Sequence, residues 1–297
     1  MHSAFITKQR GRKLKNALSV DIEDYFQVSA FENVIDRSDW ESLPCRVEQN
    51  TDKVMQIFAD HDAKGTFFIL GWVAERYPQL IKRIAEQGHE IASHGWDHIR
   101  VINMSKEEFR TDVTKTKSLL EDISGTHVKG YRAPSYSIGS ANLWALEILQ
   151  ETGHKYSSSI YPIQHDLYGM PHAPRFAFYP NDLEIIEVPV TTTKVLGKNF
   201  PCGGGGYFRL LPYLWSKRAI NKVNMVDGEA AIFYFHPWEI DPQQPRQSNT
   251  TLKTRVRHYT NLAKMEQRLR RLLLDFSWDR MDNIFLQDQE LPRIQIS

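Results

Sequence analysis

Short apolar runs alternate with stretches of helical period along almost the whole chain. Asn16-Ala17-Leu18-Ser19-Val20 reads as a buried strand that runs straight into acid, Asp21-Ile22-Glu23-Asp24. Between about Val47 and His61, Val54, Ile57 and Phe58 fall on one helical face. Gly65 to Leu70 is the next strand, followed by a helix carrying Leu80, Ile81, Ile84 and Ala85, with Gly88 as its stop. His89 to Ala92 enters a third strand, and Ser105-Lys106-Glu107-Glu108 is a capping box opening another helix. Val128 to Arg132 is strand-like, Leu143 to Leu149 helical with a stop near Gly153, and Leu183 to Val190 a further strand. A helix over Leu214 to Met225 leads to the most apolar strand, Ala230 to Phe235. One long basic amphipathic helix, roughly Leu252 to Leu274, closes the pattern.

Strands alternating with helices predict a parallel sheet covered by helices. About seven strand–helix units favour a closed or nearly closed barrel over a doubly wound sheet. There is no internal repeat. Gly203-Gly204-Gly205-Gly206 is too rich in glycine for a regular element and lacks the context of a phosphate cradle, so it is read as a loop close to other backbone or to substrate.

Composition narrows the choice without directing it. The 297 residues suffice for a sizeable core, and a net charge of +1 with no basic stripe argues against a nucleic-acid partner. The basic run from Lys8 to Lys15 reads as a solvated tail. Cys45 and Cys202 are the only cysteines, which excludes a cysteine-based zinc site and a disulfide framework. No apolar stretch follows the N-terminal charges as in a secretory signal, and none is long enough to span a bilayer, so the cytoplasm is the expected location.

In a parallel barrel, chemistry gathers where strands end. The first strand ends in three carboxylates within four residues, which repel one another unless a cation sits among them. Alternation sends Asp21 and Glu23 to one side of the strand and leaves the direction of Asp24 open. The third strand delivers His94 and His98, whose spacing puts both rings on one side of a helical turn or a tight loop, as a divalent metal requires. Arg132, in Arg132-Ala133-Pro134-Ser135-Tyr136, can hold a carboxylate, and His236 caps the most buried strand. Any one of these has a bland explanation in surface charge or core packing. Acids, histidines and an arginine at four strand ends form a set that coincidence explains poorly.

These residues resemble the polysaccharide deacetylases with the NodB homology domain (carbohydrate esterase family 4), and within them the branch associated with exosortase and exopolysaccharide loci. Ser-Val-Asp-Ile-Glu-Asp-Tyr-Phe, His-Glu-Ile-Ala-Ser-His-Gly-Trp-Asp-His and Tyr-Arg-Ala-Pro-Ser-Tyr, in this order, carry the resemblance, which spans about Ala17 to Asp241 and continues through Tyr207 to Pro212 into the C-terminal helix. It implies an α/β fold, a distorted (β/α)7 barrel related to the TIM barrel. The expected organisation is a basic tail over 1–16, the barrel over 17–245 and a helical extension packed on it over 246–297. The implied reaction is removal of N-acetyl groups from a glycan with release of acetate.

The implied cofactor is a divalent metal, zinc first, with cobalt, nickel or manganese as alternatives. His94 and His98 match two metal ligands, and Glu23 or Asp24 supplies the third. Asp21 matches the base, Arg132 the arginine that orients it and His236 the general acid, with a backbone N–H near Tyr136 stabilising the oxyanion. Trp96, Tyr136, Tyr207 and Trp238 are candidates to line the sugar cleft. The family's aspartate that tunes the acid histidine has no counterpart in Tyr156 to Tyr161, so a hydroxyl or another carboxylate must hold His236. The competing readings are a metal-free cyclic-amide hydrolase similar to allantoinases and a non-catalytic glycan-binding barrel.

Overall fold

The computed structural model describes residues 14–165, 169–287 and 290–297, so most of the basic N-terminal run lies outside the described residues. Seven parallel strands form the barrel wall: β1 (Lys15–Ile22), β2 (Thr66–Ile69), β3 (Glu90–Ser93), β4 (Gly130–Tyr131), β5 (Tyr156–Ser157), β6 (Ile186–Glu187) and β7 (Ile232–Phe235). Their order is β7-β1-β2-β3-β4-β5-β6. The register runs Asp21 beside Phe68 and Phe68 beside Ala92, which levels the strand ends that carry the polar residues.

The sheet curls without closing by strand pairing. Between β6 and β7 the seam is crossed by a connecting segment: the Tyr234 N–H donates to the Gly203 carbonyl at 2.7 Å, and the Gly203 N–H donates to the Thr191 carbonyl at 3.2 Å. A Cβ on Gly203 would come within 2.4 Å of the Ile232 carbonyl, so glycine is needed for that approach. The glycine run is not loop throughout. Gly205 and Gly206 open a short helix, Gly205–Leu210, and an antiparallel hairpin of Thr192–Val195 with Lys198–Pro201 precedes it, an element the periodicity did not predict.

Apolar alternation decides the layering. Val20, Ile22, Phe67 and Ile69 face outward into a core with the covering helices Val47–Ala59 and Pro78–Glu86, whereas Phe68, Ala92, Tyr156 and Ile232 pack together elsewhere with Met281 and Phe285. Each buried large side chain contributes roughly 1.5–3 kcal/mol. The capping box at Ser105 forms as predicted, with Ser105 and Glu108 exchanging hydrogen bonds at the start of Lys106–Ser124.

The C-terminal region departs from the single helix expected. It forms two, Leu252–Tyr259 and Leu262–Asp275, because Asn261 adopts a left-handed conformation (φ 57°) and donates its side-chain amide to the Arg209 carbonyl. Nor does the extension only pack outside. Ser277–Asp279 pairs with the start of β1, and Met281 is buried against the barrel with its N–H on the Thr66 hydroxyl. Among the described residues, no helix is long and apolar enough to cross a membrane.

Candidate active site

A cleft of about 590 Å³ opens over the C-terminal strand ends, with Asp21, Glu23, His94, His98 and His236 on its floor. Alternation along β1 puts Ser19 and Asp21 on one face, and at the strand exit, where the Glu23 N–H donates to the Asp21 carbonyl at 3.1 Å, Glu23 joins Asp21 on the cleft floor. The loop after β3 is tight rather than helical. Gly95 (φ 76°) and His98 (φ 60°) turn it, and its backbone is pinned by Gly71 and Trp72, whose N–H groups donate to the Gly95 and Trp96 carbonyls. This brings the His94 and His98 rings to 5.3 Å between centroids.

Ligand atoms of Glu23, His94 and His98 all lie within 4.8 Å of one another, and all three residues are buried. The donor set fits a divalent ion, two imidazoles and one carboxylate with room for further ligands. Two details support the fit. His94 Nδ1 is taken by the Arg132 carbonyl at 2.8 Å, which leaves Nε2 for the cluster. Glu23 Oε2 is buried 2.8 Å from His98 Nε2, yet without the alignment of a hydrogen bond. Burial raises the Glu23 pKa, but His98, His236 and His94 outweigh it and hold the group down at about 2. Burial lowers His94 to about 4, so it is a neutral donor at physiological pH.

Asp24, the other candidate for the third ligand, does not join the cluster. Its carboxylate accepts from the Tyr25 N–H at 2.8 Å, the Val47 N–H at 2.8 Å and the Arg46 N–H, fastening the exit of β1 to the start of the helix Val47–Ala59. Amides at a helix start have no partner within the helix, and at buried Val47 water cannot supply one, so they need an acceptor.

Asp21 sits beside the cluster, with Oδ1 accepting from Arg132 at 2.6 Å. Arg132 is fully buried and also donates to the Ser19 hydroxyl and to both oxygens of Ser158. Ser158 therefore supports the arginine rather than His236, while Ser159 Oγ accepts the Ala133 N–H at 2.9 Å. Glu187 backs them by accepting from the Ser159 and Ile160 amides at 2.9 and 2.8 Å.

His236 is held by a carboxylate that sequence reasoning missed. Its Nδ1 lies 2.9 Å from Glu239 Oε1, leaving Nε2 facing Glu23 at 3.5 Å and Asp21 at 3.9 Å. Glu239 is in turn bound by Arg209 at 2.6 Å. Gly205 makes room for this carboxylate, since a Cβ there would stand 2.3 Å from Oε1. The available signal was the spacing of His236-Pro237-Trp238-Glu239, a capping arrangement in which the residue three along reaches back. Burial disfavours a charged His236, but Glu23, Glu239 and Asp21 prevail and raise it to about 9. Glu239 falls to about 2, burial being outweighed by Arg209 and His236.

The Tyr136 N–H donates to the Ala133 carbonyl at 3.0 Å, which fixes the turn at this wall. Ser135 and Tyr136 both have left-handed backbones (φ 53° and 51°), a strained pair at the cleft wall. Tyr136, Tyr207 and Trp238 line the cleft. Trp96 does not; its ring packs against Gly71 and under the Lys115 ammonium.

Residues 38–157 match the family described as polysaccharide deacetylase, and residues 158–286 match a domain of unknown function (DUF3473). A peptidoglycan-N-acetylglucosamine deacetylase of Bacillus cereus is 36% identical over 98 residues, 33% of this chain and 36% of that protein. A chitooligosaccharide deacetylase of Azorhizobium caulinodans is 31% identical over 100 residues, 33% of this chain and 45% of that protein. The chain thus matches less than half the length of either relative. A crystal structure assigned to the polysaccharide deacetylases, from Mycobacterium smegmatis, superposes with a TM-score of 0.62 over 95% of this chain and 93% of that one at 20% identity, a likeness of fold.

Proposed function

The chain belongs to the NodB-type polysaccharide deacetylases, and we propose that it is a metal-dependent hydrolase that removes N-acetyl groups from N-acetylhexosamine units of a polysaccharide or its precursor. The observation that carries this reading is the convergence of Glu23, His94 and His98, flanked by Asp21 with Arg132 and by His236 with Glu239.

An ion held by Glu23, His94 and His98 would supply polarisation of the acetamide carbonyl and a more acidic water. Asp21, oriented by Arg132, takes a proton from the water that attacks the acetyl carbon. A backbone N–H near Tyr136, in the turn Pro134–Tyr136 at the cleft wall, is the proposed donor to the oxyanion. Glu239 accepts the Nδ1–H of His236 and, with Glu23 and Asp21, favours the doubly protonated ring, whose Nε2–H goes to the nitrogen as the carbon–nitrogen bond breaks. Acetate and a free amino sugar result.

Zinc is the proposed ion, and exopolysaccharide biosynthesis on the cytoplasmic side, on a nascent or lipid-linked glycan, is the proposed setting. The non-catalytic alternative drew its support from a missing acid, and Glu239 supplies one. The test is acetate release from N-acetylated oligosaccharides by the purified chain with and without zinc. His98→Ala should lose both the metal and the release. Unchanged activity in metal-free protein refutes the mechanism.

A further inference from the structure

One wall of the cleft is made by the helix Leu252–Tyr259, which presents Lys253, Thr254, Arg257 and His258 to it. The chain around this helix has an unusual charge distribution. Between Asp241 and Glu266 no acid occurs, while Arg246, Lys253, Arg255, Arg257 and Lys264 do. Lys253 and Arg257 stand one turn apart on the same face. Arg257 is exposed, and its guanidinium makes no hydrogen bond or ion pair with a described residue. The acids on the cleft floor are already engaged, Asp21 by Arg132 and Glu23 within the histidine cluster.

This wall is fixed relative to the reacting centre. Arg209 donates to the backbone carbonyls of Arg257 at 3.2 Å, His258 at 2.9 Å and Thr260 at 2.7 Å, and its Nε holds Glu239, which holds His236. The Trp238 ring stacks between His236 and His258, at 5.1 and 4.1 Å. The backbone that bears Arg257 is thus tied through two buried charged groups to the histidine beside the cluster. The Cα of Arg257 is thereby held in a set place relative to the reacting bond, with its guanidinium left to meet a ligand.

We propose that Arg257 binds an anionic group of the glycan next to the N-acetylated sugar, and that the substrate class is an acidic rather than a neutral N-acetylated glycan. A guanidinium fork takes carboxylate and phosphate alike, so the group is either a uronate carboxylate within the glycan or a phosphate at its end. The inference rests on the deacetylase reading for its placement of the substrate.

The test uses the zinc-loaded full chain and three probes in low salt: tetra-N-acetylchitotetraose, a hyaluronan tetrasaccharide and chitotetraose 1-phosphate. Calorimetric affinities and acetate release are both measured. At least one anionic probe should bind roughly tenfold or more tighter than the neutral one, as one charge-assisted contact would provide, and which one does identifies the source of the charge. The preference should collapse in Arg257→Ala and survive in Arg255→Ala, whose site is on the same helix but off the cleft. Equal affinity for all three probes overturns the inference, as does a preference that Arg257→Ala leaves intact or that Arg255→Ala removes equally, which would signal a diffuse basic surface. Preferential binding of an acidic probe without acetate release upholds this inference and defeats the deacetylase reading. Acetate release from all three probes at equal rates does the reverse.

Discussion

The adjacent acids Glu23 and Asp24 should separate cleanly on substitution, although both lie at the same strand exit. In Asp24→Asn an amide nitrogen replaces one oxygen of a carboxylate that accepts three backbone N–H bonds. At least one buried donor then faces a donor. With an unmet buried polar group costing ~1–3 kcal/mol and a charged hydrogen bond lost besides, the expected destabilisation is about 2–4 kcal/mol. For a chain of this size that lowers Tm by on the order of 5–15 °C. Metal stoichiometry should not change. Glu23→Gln should behave the opposite way. Its Oε2 makes no hydrogen bond that the fold depends on, but the cluster loses its only carboxylate. Zinc affinity should fall by more than the ~10–100-fold that loss of a mere supporting group costs. Metal content after dialysis, chelator competition and melting curves with and without zinc measure all three quantities. Wild type and Asp24→Asn should both gain Tm on adding zinc, by about 2.7 kcal/mol of stabilisation at 100 times Kd, and Glu23→Gln should not. An Asp24→Asn protein that melts normally but holds no metal would refute the reasoning.

Glu239→Gln should lower kcat on the order of 100-fold, the lower end of what general acid–base catalysis contributes, with KM changed less, because Glu239 itself does not line the cleft and acts on His236; steady-state kinetics on an N-acetylated oligosaccharide decide it. Gly205→Ala should act through the same carboxylate, since the new Cβ would displace Glu239, costing ~1–3 kcal/mol by denaturant melt as well as activity. Burial, reinforced by Asp282, raises Glu90 to about 7 from the ordinary 4.5. The folded state therefore binds the proton more tightly than the unfolded one, so this contribution is complete below about pH 4.5, declines up to about pH 7 and is flat beyond. Glu90→Gln should remove that slope, worth ~3 kcal/mol at most, when its unfolding free energy is compared with wild type between pH 4.5 and 8; parallel pH profiles would rule the assignment out.

Local patterning was sufficient for much of the fold. Strands over 16–20, 65–70 and 230–235, the Ser105 cap and the stops at Gly88 and Gly153 all depend on neighbours in sequence, and they stand where periodicity put them. The long C-terminal helix failed because its break at Asn261 answers to Arg209, some fifty residues away. Likewise Trp96 was an aromatic beside a candidate ligand, and only the packing of Gly71 turned it from the cleft.

The sequence by itself determined which chemical groups were present and, through strand alternation, that Asp21 and Glu23 share a face. It could not choose between Glu23 and Asp24 as the third ligand, because one rotation of the chain at a strand exit exchanges their environments. Tertiary structure separated them: the amides at Arg46 and Val47 needed an acceptor, and Asp24 was within reach. The same holds for His236. Its supporting carboxylate was three residues away all along, but that Glu239 turns inward depends on the gap at Gly205 and on the buried charge of Arg209, two features that no spacing within the motif records.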